Sequence, residues 1–132
     1  MTDDLGKAGV EILELLVDVT RAEEFLQRLT PEVTWTIPGD WPGISGVKDR
    51  RQIETFMRKV FPAGFPTGLT ADVDRVLRDG HTVVIEFLGR AVTSKQRVYE
   101  NRYCFIFEFA GDRVHRIREY MDTLYANAIL HT

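Results

Sequence analysis

One predicted strand carries a single amide among aromatic side chains. In the segment 97–109, every second position from Tyr99 onward is aromatic except Asn101. Successive side chains of a strand point to opposite faces of the sheet, so this aromatic set and Asn101 are predicted to face the interior together. A buried amide needs partners for its donors and its acceptor. Asn101 is therefore predicted either to bond the neighbouring backbone or to bind a ligand.

A carboxylate occupies a similar position on the last predicted strand. Ile117 and Met121 flank Glu119 at a spacing of two residues, so the three side chains are predicted to share the inward face. Glu119 would then be a carboxylate among apolar neighbours, available for chemistry inside the protein. A structural salt bridge with Arg90 or Arg58 is the alternative reading.

Helical patterns fill most of the first half of the chain. Apolar residues recur at helical spacing over about 5–19. Thr20 and Glu23 have the spacing of a capping box, which predicts a second, short helix. Asp49 and Gln52 repeat this spacing before a third helix.

Strand patterns begin within the first half of the chain and dominate its second half. Apolar and polar residues alternate over 33–37, which predicts a first strand. A short terminal helix is predicted after Asp122. Helices followed by a run of strands with short turns indicate an α+β fold with an antiparallel meander. The four strands of this meander are predicted at about 70–78, 82–92, 97–109 and 113–122.

Composition narrows the class of protein. The 132 residues fit one domain, 1–132, with its own core. The net charge of -3 and the absence of a basic run argue against a nucleic-acid partner, and no apolar stretch reaches membrane-spanning length. With Cys104 as the only cysteine and no metal-ligand cluster or phosphate loop, no cofactor or metal is expected. The acidic start lacks the features of a signal peptide, so a cytoplasmic location is expected.

Four short motifs carry a family resemblance. WTIPG at 35–39 and GISG at 43–46 precede the third helix, and YENRY at 99–103 leads to REYMDT at 118–123. In these motifs and in the order of its elements, the chain resembles the SnoaL-like branch of the nuclear-transport-factor-2-like superfamily. Its relatives include ketosteroid isomerase, limonene epoxide hydrolase, scytalone dehydratase and polyketide cyclases, together with transport adaptors that catalyse nothing. The resemblance therefore predicts the fold more narrowly than the reaction.

The resemblance implies a cone-shaped, cystatin-like roll. Three N-terminal helices would pack against a strongly curved, mostly antiparallel sheet that ends in a short C-terminal helix. A hydrophobic pocket for a small organic molecule would lie between the concave face and the first and third helices. The residues expected to bind its ligand are Trp35, Trp41, Phe56, Leu88, Arg90, Tyr103, Ile117 and Met121.

Glu86 is assigned to the pocket by the resemblance alone. Both faces of the segment 82–92 are apolar, so alternation does not fix its facing. Glu119 resembles in position an essential aspartate of limonene epoxide hydrolase, and an ungapped count from it places Glu86, Leu88 and Arg90 on the cavity side. Glu86 and Leu88 then replace residues that the hydrolase needs. The catalytic sets of ketosteroid isomerase and scytalone dehydratase are missing as well.

Two functions stay open. In the first, Glu86 and Glu119 share the cavity with Asn101 and Tyr103 and transfer protons on a hydrophobic, ring-containing substrate, as in an isomerase, cyclase, dehydratase or hydrolase. In the second, the pocket binds a ligand without catalysis, or the protein is an association module. A homodimer is expected through the outer faces of the last two long strands, which mix apolar and charged residues of both signs.

Overall fold

The first helix lies against the two strands at Thr70–Asp79 and Thr82–Val92. The computed structural model describes residues 4–131, beginning with α1 at Asp4–Val17, a 3₁₀ turn at Val19–Arg21 and α2 at Ala22–Gln27. Gly9 allows α1 to approach closely, because a Cβ there would lie 2.8 Å from Cγ1 of Val83. The predicted capping box of Thr20 and Glu23 is wrong. Asp18 accepts a hydrogen bond from the Thr20 N–H and caps the 3₁₀ turn instead.

A third helical segment runs without a break through three geometries. It comprises α3 at Arg50–Thr55, a π-helical turn at Phe56–Val60 and α4 at Phe61–Gly64. Its capping box is confirmed, since Asp49 and Gln52 each accept a backbone hydrogen bond of 2.9 Å from the other. The Phe61 N–H donates to the Phe56 carbonyl, five residues back, which defines the π turn. Pro62, which has no N–H to donate, follows directly.

Residues 4–131 contain six strands: β1 at Leu29–Ile37, β2 at Gly46–Lys48, β3 at Thr70–Asp79, β4 at Thr82–Val92, β5 at Val98–Ala110 and β6 at Arg113–Met121. They form one curved, unclosed sheet in the order β2-β1-β6-β5-β4-β3. Only the β1–β6 pair is parallel. The last helix, α5 at Thr123–Leu130, begins at Asp122, whose side chain accepts from the Tyr125 N–H. The predicted α+β roll with a mostly antiparallel sheet and a short C-terminal helix is confirmed.

The inward facing predicted for β5 and β6 is confirmed. Every second residue of β5 from Tyr99 to Phe109 is buried, including Asn101 at 4% exposure. In the β5–β6 register, Phe105 is opposite Glu119 and Tyr103 is opposite Met121. Tyr103 and Glu119 are therefore diagonal neighbours on the concave face.

The predicted facing of β4 is wrong. Phe87 is opposite Tyr103 and points inward, whereas Glu86 is opposite Cys104 and lies on the convex face with Leu88 and Arg90. The Glu86 carboxylate is half exposed and pairs with Arg75 at 3.4 Å. Arg90 pairs with Asp72 at 2.7 Å and with Glu100 at 3.8 Å. Both faces of β4 carry apolar residues. The face with the bulky Phe87 packs into the core, and the face with the charged Glu86 and Arg90 stays in contact with solvent.

Candidate functional site

A cavity of about 210 Å³ lies between the concave face of the sheet, the α3–α4 segment and the end of α5. Its walls are largely aromatic, and among residues 4–131 Glu119 is the one acidic residue that lines it. Side chains from α1, from these two helical segments and from four strands meet there, so the cavity depends on the curvature of the sheet. The aromatic residues around it are Trp35, Trp41, Phe56, Phe61, Phe65, Phe87, Tyr99, Tyr103 and Phe105.

Glu119 is a buried carboxyl with one hydrogen bond. It is 7% exposed, and its Oε1 accepts from Nε1 of Trp35 at 2.9 Å. It makes no ion pair with any residue in 4–131: Arg90 is engaged by Asp72 and Glu100, and Arg58 is engaged on the helices, so the alternative salt-bridge reading is wrong. Burial raises the pKa of Glu119 to about 7, against the smaller lowering effects of the Trp35 hydrogen bond and the positive charge of Lys48.

Lys48 carries the positive charge that acts on the Glu119 carboxyl. It lies directly opposite Trp35 in the β1–β2 register, and its Nζ is 5.4 Å from the centroid of the Phe56 ring. Its ammonium group also donates to the Ile44 carbonyl at 3.4 Å. Burial lowers the pKa of Lys48, and the negative charge of Glu119 acts in the opposite direction. Lys48 was not predicted as a site residue, because β2 has only three residues and shows no alternation.

Two tyrosine hydroxyls meet at the cavity wall. The hydroxyl oxygens of Tyr99 and Tyr103 are 2.5 Å apart, and Nδ2 of Asn101 donates to the Tyr99 hydroxyl at 3.0 Å. The same Nδ2 donates to the Asp122 carbonyl at 3.1 Å, just before α5. Burial holds the pKa of Tyr103 well above its usual value, so its phenol stays protonated at neutral pH.

The end of α5 forms another wall of the cavity. Ile129, Leu130 and His131 line it, and the His131 ring contacts Trp41 with centroids 5.5 Å apart. Nε1 of Trp41 donates to Oδ1 of Asn127 at 2.8 Å. A favourable cation also lies at this helix C-terminus, since Nζ of Lys95 donates to the Leu130 carbonyl at 3.4 Å. Apolar spacing predicted the helix, but its contribution to the cavity was not predicted.

The structure brings together some of the predicted site residues and separates others. Asn101 and Ile117 are buried but do not line the cavity. Asn101 donates a hydrogen bond to Tyr99, which does line it. Glu86, Leu88 and Arg90 lie on the opposite face of the sheet. The predicted residues that line the cavity are Trp35, Trp41, Phe56, Tyr103, Glu119 and Met121.

Other kinds of site find no support in the part of the chain that the structure describes. Within residues 4–131, no group of three His, Cys, Asp or Glu side chains is placed to hold a metal ion. No helix in the same range is long and apolar enough to cross a membrane.

Solved structures share this fold over nearly the whole chain. A nuclear-transport-factor-2-like protein of unknown function from Burkholderia pseudomallei has a TM-score of 0.85 at 19% identity, covering 99% of this chain and 100% of that one. A nuclear-transport-factor-2-like protein from Anabaena variabilis has a TM-score of 0.79 at 26% identity, with 92% and 94% covered. TerC, solved with polyporic acid, has a TM-score of 0.77 at 17% identity, with 95% and 99% covered.

Sequence comparison identifies the family. No curated protein gives a significant match to the chain. The profile of the SnoaL-like domain, however, matches residues 12–117, from the middle of α1 to the centre of β6. This match includes the strands that carry the tyrosine pair and Trp35. The chain belongs to the SnoaL-like domain family.

Proposed function

We propose that this protein binds a small, hydrophobic ring compound in its cavity and that Glu119 transfers a proton to or from it. The observation that carries the proposal is the position of Glu119, which lies among the aromatic walls and accepts a hydrogen bond from Trp35. An engineered apolar cavity of about 150 Å³ holds benzene. A cavity of about 210 Å³ therefore has room for a substituted ring. TerC, a protein of the same fold, has been co-crystallised with polyporic acid.

The acid–base properties of Glu119 fit this role. A general acid or base works best when its pKa lies near the working pH, since both protonation states are then populated. Burial brings the pKa of Glu119 to about 7. The protonated phenol of Tyr103 lies diagonally across from it, and diagonal neighbours of this kind have Cα atoms about 7–8 Å apart. A ligand between them would meet a proton donor and a proton acceptor.

The mechanism uses one carboxyl rather than two. With Glu86 on the convex face, no second carboxylate shares the cavity within residues 4–131, so like-charge repulsion is not what shifts Glu119. The pKa of Glu119 is raised instead by desolvation between the aromatic walls. Isomerisation, cyclisation, dehydration and hydrolysis all remain possible reactions for a single base paired with a phenol donor.

The test is an unbiased screen of ring compounds for binding, followed by product analysis of every compound that binds. Turnover by the wild-type protein should depend on a group of pKa about 7 and should fall by about 10²-fold or more in Glu119→Gln. Glu86→Gln makes the same chemical change on the convex face and should leave turnover unchanged. Turnover that survives Glu119→Gln with the same pH dependence would refute the proposal.

A second candidate function is ligand binding without catalysis. The observation in its favour is that the residues required by the three best-known enzyme relatives are absent, and that Glu86 does not replace them. In that case Glu119 and Tyr103 would orient the ligand only. Tight binding of a ring compound, with no product formed at any pH, would support this second function over the first.

We also propose that the protein is a homodimer formed through the convex face of β5 and β6. Tyr120 is 44% exposed there, and Cys104 and Ile106 are partly exposed beside it. Charges of both signs surround them, including Glu108, which pairs with Arg118 at 3.2 Å. A mixed, self-complementary surface suits a two-fold contact between identical chains. Sedimentation at micromolar concentration should show a dimer, and a monomer alone would contradict this proposal.

A further inference from the structure

The orientation of the Asn101 amide is fixed by its surroundings. Its Nδ2 lies 3.1 Å from the Asp122 carbonyl oxygen, which can only accept a hydrogen bond. The amide atom at this position must therefore be the nitrogen. The same nitrogen lies 3.0 Å from the Tyr99 hydroxyl, so that hydroxyl accepts a hydrogen bond from Asn101.

The two tyrosine hydroxyls have one hydrogen more than they have acceptors for. The two hydroxyls supply two hydrogens, and one of them fills the 2.5 Å contact between Tyr99 and Tyr103. Asn101 donates a hydrogen to the Tyr99 oxygen, so its amide nitrogen is not an acceptor for the other hydroxyl hydrogen. Within residues 4–131 the two hydroxyls have no other hydrogen-bond partner, so one hydroxyl hydrogen remains without an acceptor.

Either hydroxyl can donate in the contact between them, and the remaining hydrogen stays on Tyr103 when Tyr99 is the donor. A phenol that already accepts from one donor is best satisfied by donating its hydrogen elsewhere, and the available oxygen for Tyr99 is that of Tyr103. The chain then runs from Asn101 to Tyr99 to Tyr103. Hydrogen bonds in such a chain polarise one another, which strengthens the last donor. Tyr103 lines the cavity, so the remaining hydrogen is available to a ligand.

We propose that the cavity takes a ring compound bearing an acceptor oxygen, of the carbonyl class, that Tyr103 donates to this oxygen, and that Asn101 is the positioning residue that directs the Tyr103 hydrogen. The proposal rests on the cavity being the ligand site, as proposed above, but not on catalysis by Glu119. A ring hydrocarbon of the same shape would leave the Tyr103 hydroxyl unsatisfied in an apolar site, and this would lower its affinity relative to the ketone.

The test compares two probes of nearly identical shape, 4-fluoroacetophenone and 1-fluoro-4-isopropenylbenzene, which differ in C=O against C=CH₂. Fluorine NMR titration gives the dissociation constant of each probe, and infrared spectroscopy gives the carbonyl stretching frequency of the bound ketone. Tyr103→Phe should lower the ketone-to-alkene affinity ratio by about tenfold, and Tyr99→Phe and Asn101→Leu by about threefold. The carbonyl band should lie at lower frequency in the wild type than in Tyr103→Phe.

The alkene and a matched control keep the outcome clear. Alkene affinity should not fall in any variant, which shows that the cavity is intact, and it should rise in Tyr103→Phe, where no hydroxyl is left unsatisfied. Tyr120→Phe on the convex face should change neither probe. If Asn101→Leu does not fold, the sterically conservative Tyr99→Phe tests the same chain. An unchanged affinity ratio and carbonyl band in Tyr103→Phe would overturn the proposal while leaving the cavity as a ligand site. Failure of the wild type to bind the ketone at all would overturn it too, whereas the Glu119→Gln turnover test bears on proton transfer alone.

Discussion

Trp35 donates a hydrogen bond of 2.9 Å from its indole nitrogen to Oε1 of Glu119, across 84 positions of sequence. The two residues lie on β1 and β6, the parallel pair of the sheet. An ionised carboxylate in an apolar site is costly, and this donor offsets part of that cost. The pKa of Glu119 therefore stays near 7, where the group can both give and take a proton.

Trp35→Phe should raise the pKa of Glu119 further above about 7, because the hydrogen bond that stabilises the charged form is lost. It should also destabilise the protein by about 2–4 kcal/mol, since a buried ring becomes smaller and a buried carboxyl loses its donor. Carbon-13 NMR titration of the glutamate carboxyl carbons and urea unfolding measure the two effects. Trp41→Phe is the control, since its indole donates to Asn127 instead. A pKa equal to that of the wild type would contradict the assignment of this hydrogen bond.

Lys48→Met should also raise the pKa of Glu119, because it removes the one positive charge that acts on this carboxyl from β2. Lys48→Arg keeps the charge and should restore most of the wild-type value. The same carboxyl titration measures both variants. A lower pKa in Lys48→Met than in the wild type would show that packing around Phe56, rather than charge, controls the site.

The stability of the protein should fall as the pH rises through neutrality. The pKa of Glu119 is raised from 4.5 to about 7, so the folded state holds a proton that the unfolded state has released between these values. This contribution is fully present below pH 4.5 and is lost as the pH rises through about 7, with a total of about 3 kcal/mol. Urea unfolding at about pH 5 and about pH 8 measures it. The difference between wild type and Glu119→Gln isolates it, and identical pH dependence of the two proteins would argue against a buried, neutral Glu119.

Gly89→Ala should disturb the tyrosine pair. A Cβ at this position would lie 2.9 Å from Cε1 of Tyr103, so the Tyr103 ring must shift from its present position. Overpacking of this kind costs about 1–3 kcal/mol. Gly64→Ala is a matched control, because its Cβ meets nothing within 4 Å and alanine favours the helix. Thermal unfolding compares the two, and an equal effect of both substitutions would contradict the close fit of Tyr103 against Gly89.

The sequence predicted the parts of the site in which one strand face differs clearly from the other. On β5 the aromatic positions from Tyr99 to Phe109 leave no choice of inward face, so Asn101 was correctly placed. On β6, Ile117 and Met121 did the same for Glu119. The period of two in a strand carries this information only when one face is distinctly more apolar.

Other parts of the site could not be predicted from such patterns. On β4, Val83 and Phe87 compete with Val84 and Leu88 for the core, and only the pairing with β5 decides between them. Glu86 was therefore placed on the wrong face. Lys48 reaches the site through the pairing of β1 with β2, a long-range contact that a three-residue strand does not reveal.

Direct titration of Glu119 tests the central claim most simply. Carbon-13 NMR of the side-chain carboxyl carbons, with the Glu119 signal assigned by its absence in Glu119→Gln, should show a carboxyl that titrates with a pKa of about 7. Adding a ring ketone that binds should shift this titration, since the ligand shares the cavity. A Glu119 signal that titrates at the ordinary value near 4.5, and does not respond to any bound ring compound, would contradict the account.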